Sequence, residues 1–309
     1  MTTTIAWHHD GTTLGPFPGG RTTSPAGRAA LLGTALLGTA LPCTALLGTA
    51  LPGAALPPKV VARRTAAWIW GLDVLPPGAA RMGWELDLVD GAGLPPSHVA
   101  EEGGLRVTTP ARTALDCARR LPPQEAVAAL DQFLRTGVEL AELKLMARDL
   151  RGRRDSSRLR GVLSLGDRGA ASPGESRTRF TVVDTGFPRP RTQVPVMGPR
   201  GDPFFIDLGY EEFRVGMEYD GEPHHTGPVA RARDEARRRW LTREMGWEII
   251  TVTRDFLPCP GPYLEVLLTA LLHRGWEPSP TTMDRIATRL ARLSRRSPRS
   301  RRRPRAPTR

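Results

Sequence analysis

The 309-residue chain contains no asparagine and only two lysines, Lys59 and Lys144, so that 42 of its 44 basic residues are arginine. This bias is typical of a G+C-rich genome and by itself indicates no function. Aromatic residues make up 6% of the chain and hydrophobic residues 39%, whereas 30 prolines and 32 glycines indicate long loops and linkers. A compact hydrophobic core can therefore come from only part of the sequence.

The sequence is also poor in cysteine, and its three cysteines (Cys43, Cys117 and Cys259) lie far apart. An odd number at such wide spacing excludes a disulfide framework and a zinc site built from closely spaced cysteine pairs. A reducing, cytoplasmic location is the simplest expectation.

Positive charge is concentrated at the C-terminal end. The net charge is +12, but residues 285–309 hold eleven arginines and no acid, which leaves 12 − 11 = +1 for residues 1–284. Ile286, Leu290 and Leu293 predict a short amphipathic start, after which serine, proline and arginine dominate, so residues 284–309 are predicted to form a disordered basic tail. Such tails bind nucleic acid through counterion release.

The N-terminal segment, residues 1–58, is of low complexity. Five tandem pentapeptides of the type LLGTA occupy residues 31–55, and a period of five places no continuous apolar stripe on a helix or a strand. The segment is therefore predicted to lack fixed structure. Pro42, Pro52 and Pro57 interrupt its uncharged stretch, which argues against a membrane-spanning helix.

Globular patterning begins at residue 59, and residues 59–165 are predicted to form a mainly helical domain. Apolar residues from Val60 to Leu72 recur near helical spacing, and Leu105–Val107 is typical of a strand. Thr109 and Pro110 form a helix N-cap and first-turn pair, and further helices are expected over 124–135 and 139–150. No catalytic set of residues is apparent in this region.

Residues 170–275 are predicted to form an α/β domain. A helix capped by Ser172 precedes three strand-like runs at 192–197, 203–208 and 213–220. A helix over 228–245 and a strand from Trp247 follow, which gives the order helix, three strands, helix, strand.

Alternation along the strands groups three carboxylates. Glu218 and Asp220 point away from the apolar residues of their strand, and Asp207 is predicted to lie beside Glu218. Phe204, Ile206 and Leu208 are expected to share the face opposite Asp207. An all-oxygen site of this kind suits Mg²⁺ or Mn²⁺, and the alternative is a set of acids on a solvated sheet face.

Glu175 and the pair Arg237 and Arg238 are further candidate site residues, and each also has a purely structural explanation. Glu175 lies three residues after Ser172, as in a helix capping box. Arg237 and Arg238 are candidate nucleic-acid contacts, or members of a solvated, ion-paired helix face.

These residues carry a resemblance to two known families. The runs SPGESRTR (172–179), EYDG (218–221) and ARARDEARRRWLTREMGWEIITVT (230–253), with Asp207, His224 and His225, resemble an uncharacterised endonuclease-like family. That family is related to very-short-patch-repair endonucleases and belongs to the PD-(D/E)xK superfold. The runs RTAAWIWGL (64–72) and LRVTTPARTALDCARR (105–120) resemble the AbiEi-type antitoxin family.

The resemblance implies a restriction-endonuclease-like mixed sheet flanked by helices, with Glu175, Asp207 and Glu218 around a divalent cation. It implies metal-dependent cleavage of DNA. Asp220 occupies the usual lysine position of the superfold, and His224 or His225 is the candidate replacement. The alternative is a non-catalytic DNA-binding regulator, or an antitoxin-like protein with a decayed nuclease fold, whose middle region binds a toxin or another protein.

Overall fold

The computed structural model describes residues 13–14, 24–37, 59–74, 84–150, 155–221 and 228–296. The chain divides into two compact units, Met1–Arg168 and Gly169–Arg309. Each unit contains a four-stranded mixed sheet, and ten α-helices are distributed over the described part of the chain. No described helix is long and apolar enough to cross a lipid bilayer.

The first unit contains more β-structure than the sequence predicts. Its strands are β1 (Thr13–Leu14), β2 (Lys59–Val61), β3 (Trp84–Glu85), β4 (Leu88–Asp90), β5 (Val99–Glu102) and β6 (Leu105–Thr108). The sheet order is β4-β2-β6-β5, in which β2 and β6 are parallel and the other two pairs antiparallel, and β1 pairs with β3. Only β6 is among the predicted strands, because β2 falls in a run interpreted as helical and the other strands show little alternation.

Six helices complete the first unit. They are α1 (Pro25–Leu37), α2 (Arg63–Ile69), α3 (Pro110–Arg120), α4 (Pro123–Arg135), α5 (Leu140–Met146) and α6 (Ser156–Ser164). The predicted start of α3 is confirmed, since the Thr109 side chain accepts a hydrogen bond from Arg112 N–H at 3.4 Å. The helix predicted from Val60 begins instead at Arg63, because Val60 and Val61 are buried in β2, where β-branched side chains pack well.

Helix α1 corrects the expectation of no fixed structure over residues 1–58. Ala29 and Leu32, one helical turn apart, are buried against a core that includes Val61 and Leu105. Arg28 donates a hydrogen bond to the Trp68 carbonyl at 3.1 Å. Tertiary contacts over a single turn thus stabilise a helix without a continuous apolar stripe. The rest of the segment, apart from 13–14 and Ser24, lies outside the described residues.

The predicted element order of the second unit is confirmed. Its elements are α7 (Pro173–Thr185), β7 (Arg191–Met197), β8 (Pro203–Tyr210), β9 (Val215–Asp220), α8 (Pro228–Arg239), β10 (Glu248–Thr253), α9 (Gly261–His273) and α10 (Pro280–Arg296). The sheet order is β7-β8-β9-β10. Strands β7, β8 and β9 are antiparallel neighbours, whereas β10 returns through α8 to run parallel to β9.

Two hydrophobic clusters cover the two faces of this sheet. One cluster joins Val215 and Met217 to residues of α7, α9 and α10. The other contains Val194, Ile206, Leu241 and Trp247 and lies on the side of α8. Both faces of the sheet thus carry buried side chains, although Met197 and Phe205 at its β7–β8 end are exposed. Polar side chains within the buried part need specific partners.

Helix α10 confirms the predicted amphipathic start and corrects the predicted start of the disordered tail at residue 284. Ile286 and Leu290 are buried in the first of these clusters, and Leu293 packs against it. The spacing of these three residues places them on one helical face, so an arginine-rich sequence still forms a packed helix to Arg296. Residues 297–309 lie outside the described residues.

Candidate functional site

The candidate site lies where strands β8 and β9 separate. Their pairing runs from Tyr210 opposite Val215 to Leu208 opposite Met217, and the next positions along the two strands are Asp207 and Glu218. The Asp207 carboxylate accepts a hydrogen bond from Tyr219 N–H at 2.8 Å. The predicted neighbouring positions of Asp207 and Glu218 are thus confirmed.

The alternation predicted along β8 is interrupted at Asp207. Phe204 and Ile206 pack in the cluster beside α8, whereas Leu208 packs in the opposite cluster. The three residues therefore do not share one face, which corrects the prediction. On the neighbouring strand, Gln193 lies between the pairs that flank Asp207 and has a left-handed φ of 49°. This local distortion accompanies the change of face, and a regular two-residue period cannot predict it.

Glu175 makes only half of the expected capping box. Its backbone N–H donates to the Ser172 hydroxyl at 3.2 Å, which caps α7 as predicted. Its carboxylate, however, accepts from Ala171 N–H at 2.7 Å and from the Gln193 side-chain amide at 3.1 Å. Glu175 is only 5% exposed and is directed toward β7, so it links the start of α7 to the sheet.

Gly174 allows this close approach of α7 to the sheet. A Cβ atom at this position would lie 1.9 Å from the ring of Tyr219. We expect Gly174→Ala to destabilise the protein by up to about 3 kcal/mol, because the half-buried Tyr219 ring or helix α7 must shift to make room for the added methyl group. Urea unfolding of the full chain measures this effect.

Gly161→Ala in α6 is the matched control, because open space surrounds that position, and we expect it to be neutral or slightly stabilising. Equal unfolding midpoints for Gly174→Ala and wild type would contradict the predicted clash with the Tyr219 ring.

A cleft of about 410 Å³ opens beside the two central carboxylates. Its lining residues are Asp207, Glu218, Tyr219, Asp220, Asp234, Arg237, Arg238 and Thr251. Asp220 therefore lies at the same site as Asp207 and Glu218, and the two arginines predicted as nucleic-acid contacts also face it. His224 and His225 lie outside the described residues.

Arg237 is the central cation of this cleft. Its guanidinium lies 2.6 Å from a Glu218 carboxylate oxygen, and the Glu218 side chain is 14% exposed. The same nitrogen donates to the Phe205 carbonyl at 2.6 Å, and the guanidinium lies 5.9 Å from the ring centre of Phe204. Arg237 thus connects α8 to both separating strands and neutralises Glu218.

Burial and nearby charges raise the pKa of Asp207. Burial, followed by the negative charge of Glu175, raises the pKa of Asp207 to about 6. Glu218 adds to the rise, whereas the hydrogen bond from Tyr219 N–H and the charge of Arg237 oppose it. Asp207 therefore lies in an environment that disfavours its negative charge, which is common at functional sites.

Asp207 and Glu218 are suitable donors for a divalent cation. Within the described ranges, no three His, Cys, Asp or Glu side chains form a complete metal-binding group. The carboxylates of Asp207 and Glu218 are the hard oxygen donors that Mg²⁺ and Mn²⁺ prefer. A cation would favour the ionised form of Asp207, whose pKa is raised by burial and by the charges of Glu175 and Glu218. Because Arg237 already pairs with one Glu218 oxygen, such a cation would compete with this guanidinium for the carboxylate.

Sequence reasoning missed the contacts that Arg237 and Gln193 make inside the site. Arg237 pairs with an acid nineteen positions away on another element, and it lies within a run of three arginines. Gln193 reaches Glu175 through a local backbone distortion. Neither contact has a periodic sequence signal, so only the fold reveals them.

Comparison with known proteins relates the first unit to antitoxins. Residues 75–165 match the family described as the AbiEi antitoxin C-terminal domain. An uncharacterized protein of Mycobacterium tuberculosis, found in the CDC 1551 and H37Rv strains, is 34% identical over 153 residues. This match covers 49% of the present chain and 56% of the relative, so the chain spans about half the length of the curated relatives it matches. No solved structure matches the chain significantly.

Proposed function

We propose that the protein is an antitoxin-like, DNA-binding regulator whose second unit has a nuclease-derived fold. The observation that carries this proposal is the match of residues 75–165 to the AbiEi antitoxin C-terminal domain. The match supports a toxin, another protein or DNA as the partner of the first unit. The arginine-rich C-terminal end provides additional affinity for a polyanion.

The cleft of the second unit supports a binding role better than catalysis. The second unit begins with one helix, three strands, one helix and one strand. This order is compatible with the relationship to very-short-patch-repair-like endonucleases that the sequence motifs indicate. Glu218, however, is held in an ion pair by Arg237, and Asp220 stands where the superfold usually has lysine. A carboxylate neutralised by a side chain is a poorer metal ligand than a free one.

The test uses the whole 309-residue chain with two assays in parallel. We expect it to retard a short DNA duplex in the presence of EDTA, and to leave a supercoiled plasmid intact with Mg²⁺ or Mn²⁺. Mn²⁺-dependent nicking that disappears in Asp207→Ala would overturn the non-catalytic proposal. Absence of duplex binding at low salt would overturn the DNA-binding proposal.

A metal-dependent DNA endonuclease is the second candidate, and the raised pKa of Asp207 favours it. In this function Asp207 and Glu218 would hold Mg²⁺ or Mn²⁺, with Glu175 adjacent, and the bound cation would supply an activated water for phosphodiester hydrolysis. Arg237 and Arg238 would bind the phosphate in the cleft. Asp220, His224 and His225 remain predicted members of this catalytic set.

Calorimetry tests the cation site separately from cleavage. We expect wild-type protein to bind Mn²⁺ and the double variant Asp207→Asn with Glu218→Gln to show no detectable binding, because both proposed ligands lose their charge. Asp202→Asn, which changes an exposed acid in the turn between β7 and β8, is the control and should bind as wild type does. Equal binding by wild type and the double variant would place the cation elsewhere.

A further inference from the structure

The first unit has a second cleft that is basic rather than acidic. It measures about 310 Å³. One side is formed by α5 and the 3₁₀ turn that follows it, and the other side by α6. Its described lining residues are Lys144, Ala147, Arg148, Arg160, Leu163 and Ser164. The three cations are solvent-exposed, Leu163 is buried beneath them, and no carboxylate is among the described lining residues.

The cations of this cleft differ from six other arginines among the described residues of the same unit. Ion pairs join Arg63 to Asp87, Arg64 to Glu125, Arg112 to Asp116, Arg119 and Arg120 to Asp155, and Arg168 to Glu139. Lys144, Arg148 and Arg160 have no ion pair with any carboxylate in the described ranges. The unit thus neutralises many of its arginines internally and leaves three cations together around one concavity.

We propose that this cleft binds phosphates of the DNA backbone. Three like charges on the rim of a concave surface raise the local positive potential, and an anion relieves their mutual repulsion. Arginine recognises phosphate through paired N–H donors, and lysine does so as a point charge. A polymer with regularly spaced phosphates can neutralise cations on both sides of the cleft with release of counterions. This inference rests on the proposed DNA-binding function and assigns part of it to the first unit.

The experiment measures duplex affinity of the full chain by fluorescence anisotropy over a range of salt concentrations. The cleft variant carries Lys144→Gln, Arg148→Gln and Arg160→Gln. A matched variant carries Lys59→Gln, Arg106→Gln and Arg135→Gln, which removes one lysine and two arginines from the same unit outside the cleft. We expect the cleft variant to lower the slope of log affinity against log salt by up to about 3, and its affinity at low salt by at least about tenfold. The matched variant should change the slope by less than about 1.

Each other outcome overturns the proposal in a distinguishable way. An unchanged slope in the cleft variant would show that the cleft does not contact DNA, whereas a wild type without duplex affinity would contradict the proposed function itself. Equal losses in both variants would show an effect of net charge alone. Inorganic phosphate and an acidic peptide are separate probes. Cleft-dependent binding of either one without a change in duplex affinity would assign the cleft to that ligand class.

Discussion

At about pH 8, Asp207→Asn is expected to raise the free energy of unfolding by up to about 3 kcal/mol. The Asp207 pKa rises from 3.8 to about 6 on folding, chiefly because the carboxyl is buried and secondly because Glu175 lies near. Ionised Asp207 therefore destabilises the native state. Asparagine has no charge and retains an oxygen that can accept the hydrogen bond from Tyr219 N–H.

The sign of the pH dependence follows from the raised pKa. The native state binds more protons than the unfolded state between about pH 4 and 6, so wild-type stability falls as pH rises through this window. Asp207→Asn removes this contribution, and the two proteins should differ least near pH 3.5 and most above about pH 7. Urea unfolding at a series of pH values measures the difference.

Asp202→Asn is the control for this experiment, because it removes a carboxylate that is exposed in the turn between β7 and β8. We expect it to change stability by less than about 0.5 kcal/mol at every pH. A stability gain for Asp207→Asn that is the same at acid and alkaline pH would mean that ionisation of Asp207 is not its cause.

The element order of the second unit was predictable because its local signals agree with one another. Ser172, Pro173 and Gly186 mark the two ends of α7, and alternating runs separated by turn residues mark β7, β8 and β9. The neighbouring positions of Asp207 and Glu218 follow from a short connection between antiparallel strands. These features depend on residues that lie close together in the sequence, so a single sequence is sufficient to predict them.

Long-range contacts explain the features that were not predictable. Helix α1 depends on a core to which Val61 and Leu105 contribute, and the short strands β4 and β5 form because a sheet is available to them. Leu208 changes face where the strands separate, which breaks the period on which its prediction rested. In each case tertiary packing overrides the local pattern.

The site shows the same division between local and long-range information. Strand pairing and the alternation along β9 bring Asp207, Glu218 and Asp220 to one cleft, but they do not reveal that Arg237 is ion-paired with Glu218. This ion pair changes the functional interpretation, because it turns an apparently free carboxylate pair into a partly neutralised one. Arg237 is therefore the most informative residue to substitute in the second unit.

Arg237→Gln is expected to destabilise the protein and to increase its affinity for a divalent cation. The Glu218 side chain is 14% exposed, and loss of its guanidinium partner would leave a largely buried charge without compensation, at a cost of about 3 kcal/mol. The substitution also removes a positive charge that competes with a metal ion for Glu218. In the wild type, this same charge lowers the pKa of Asp207. We therefore expect Mn²⁺ affinity to rise on the order of tenfold at about pH 8, since opposing charges a few ångströms apart interact by several kcal/mol.

Arg238→Gln provides the control within the same cleft. Arg238 lines the cleft next in sequence to Arg237 but is exposed, so its replacement should leave stability within about 0.5 kcal/mol of wild type. Calorimetry with Mn²⁺ and urea unfolding with and without Mn²⁺ measure both effects, and added Mn²⁺ should restore the stability of Arg237→Gln because the cation replaces the lost positive charge. If Arg237→Gln binds Mn²⁺ no better than wild type, Arg237 does not compete with a cation for Glu218. If neither protein binds Mn²⁺, the carboxylates of the cleft are partners of Arg237 rather than metal ligands.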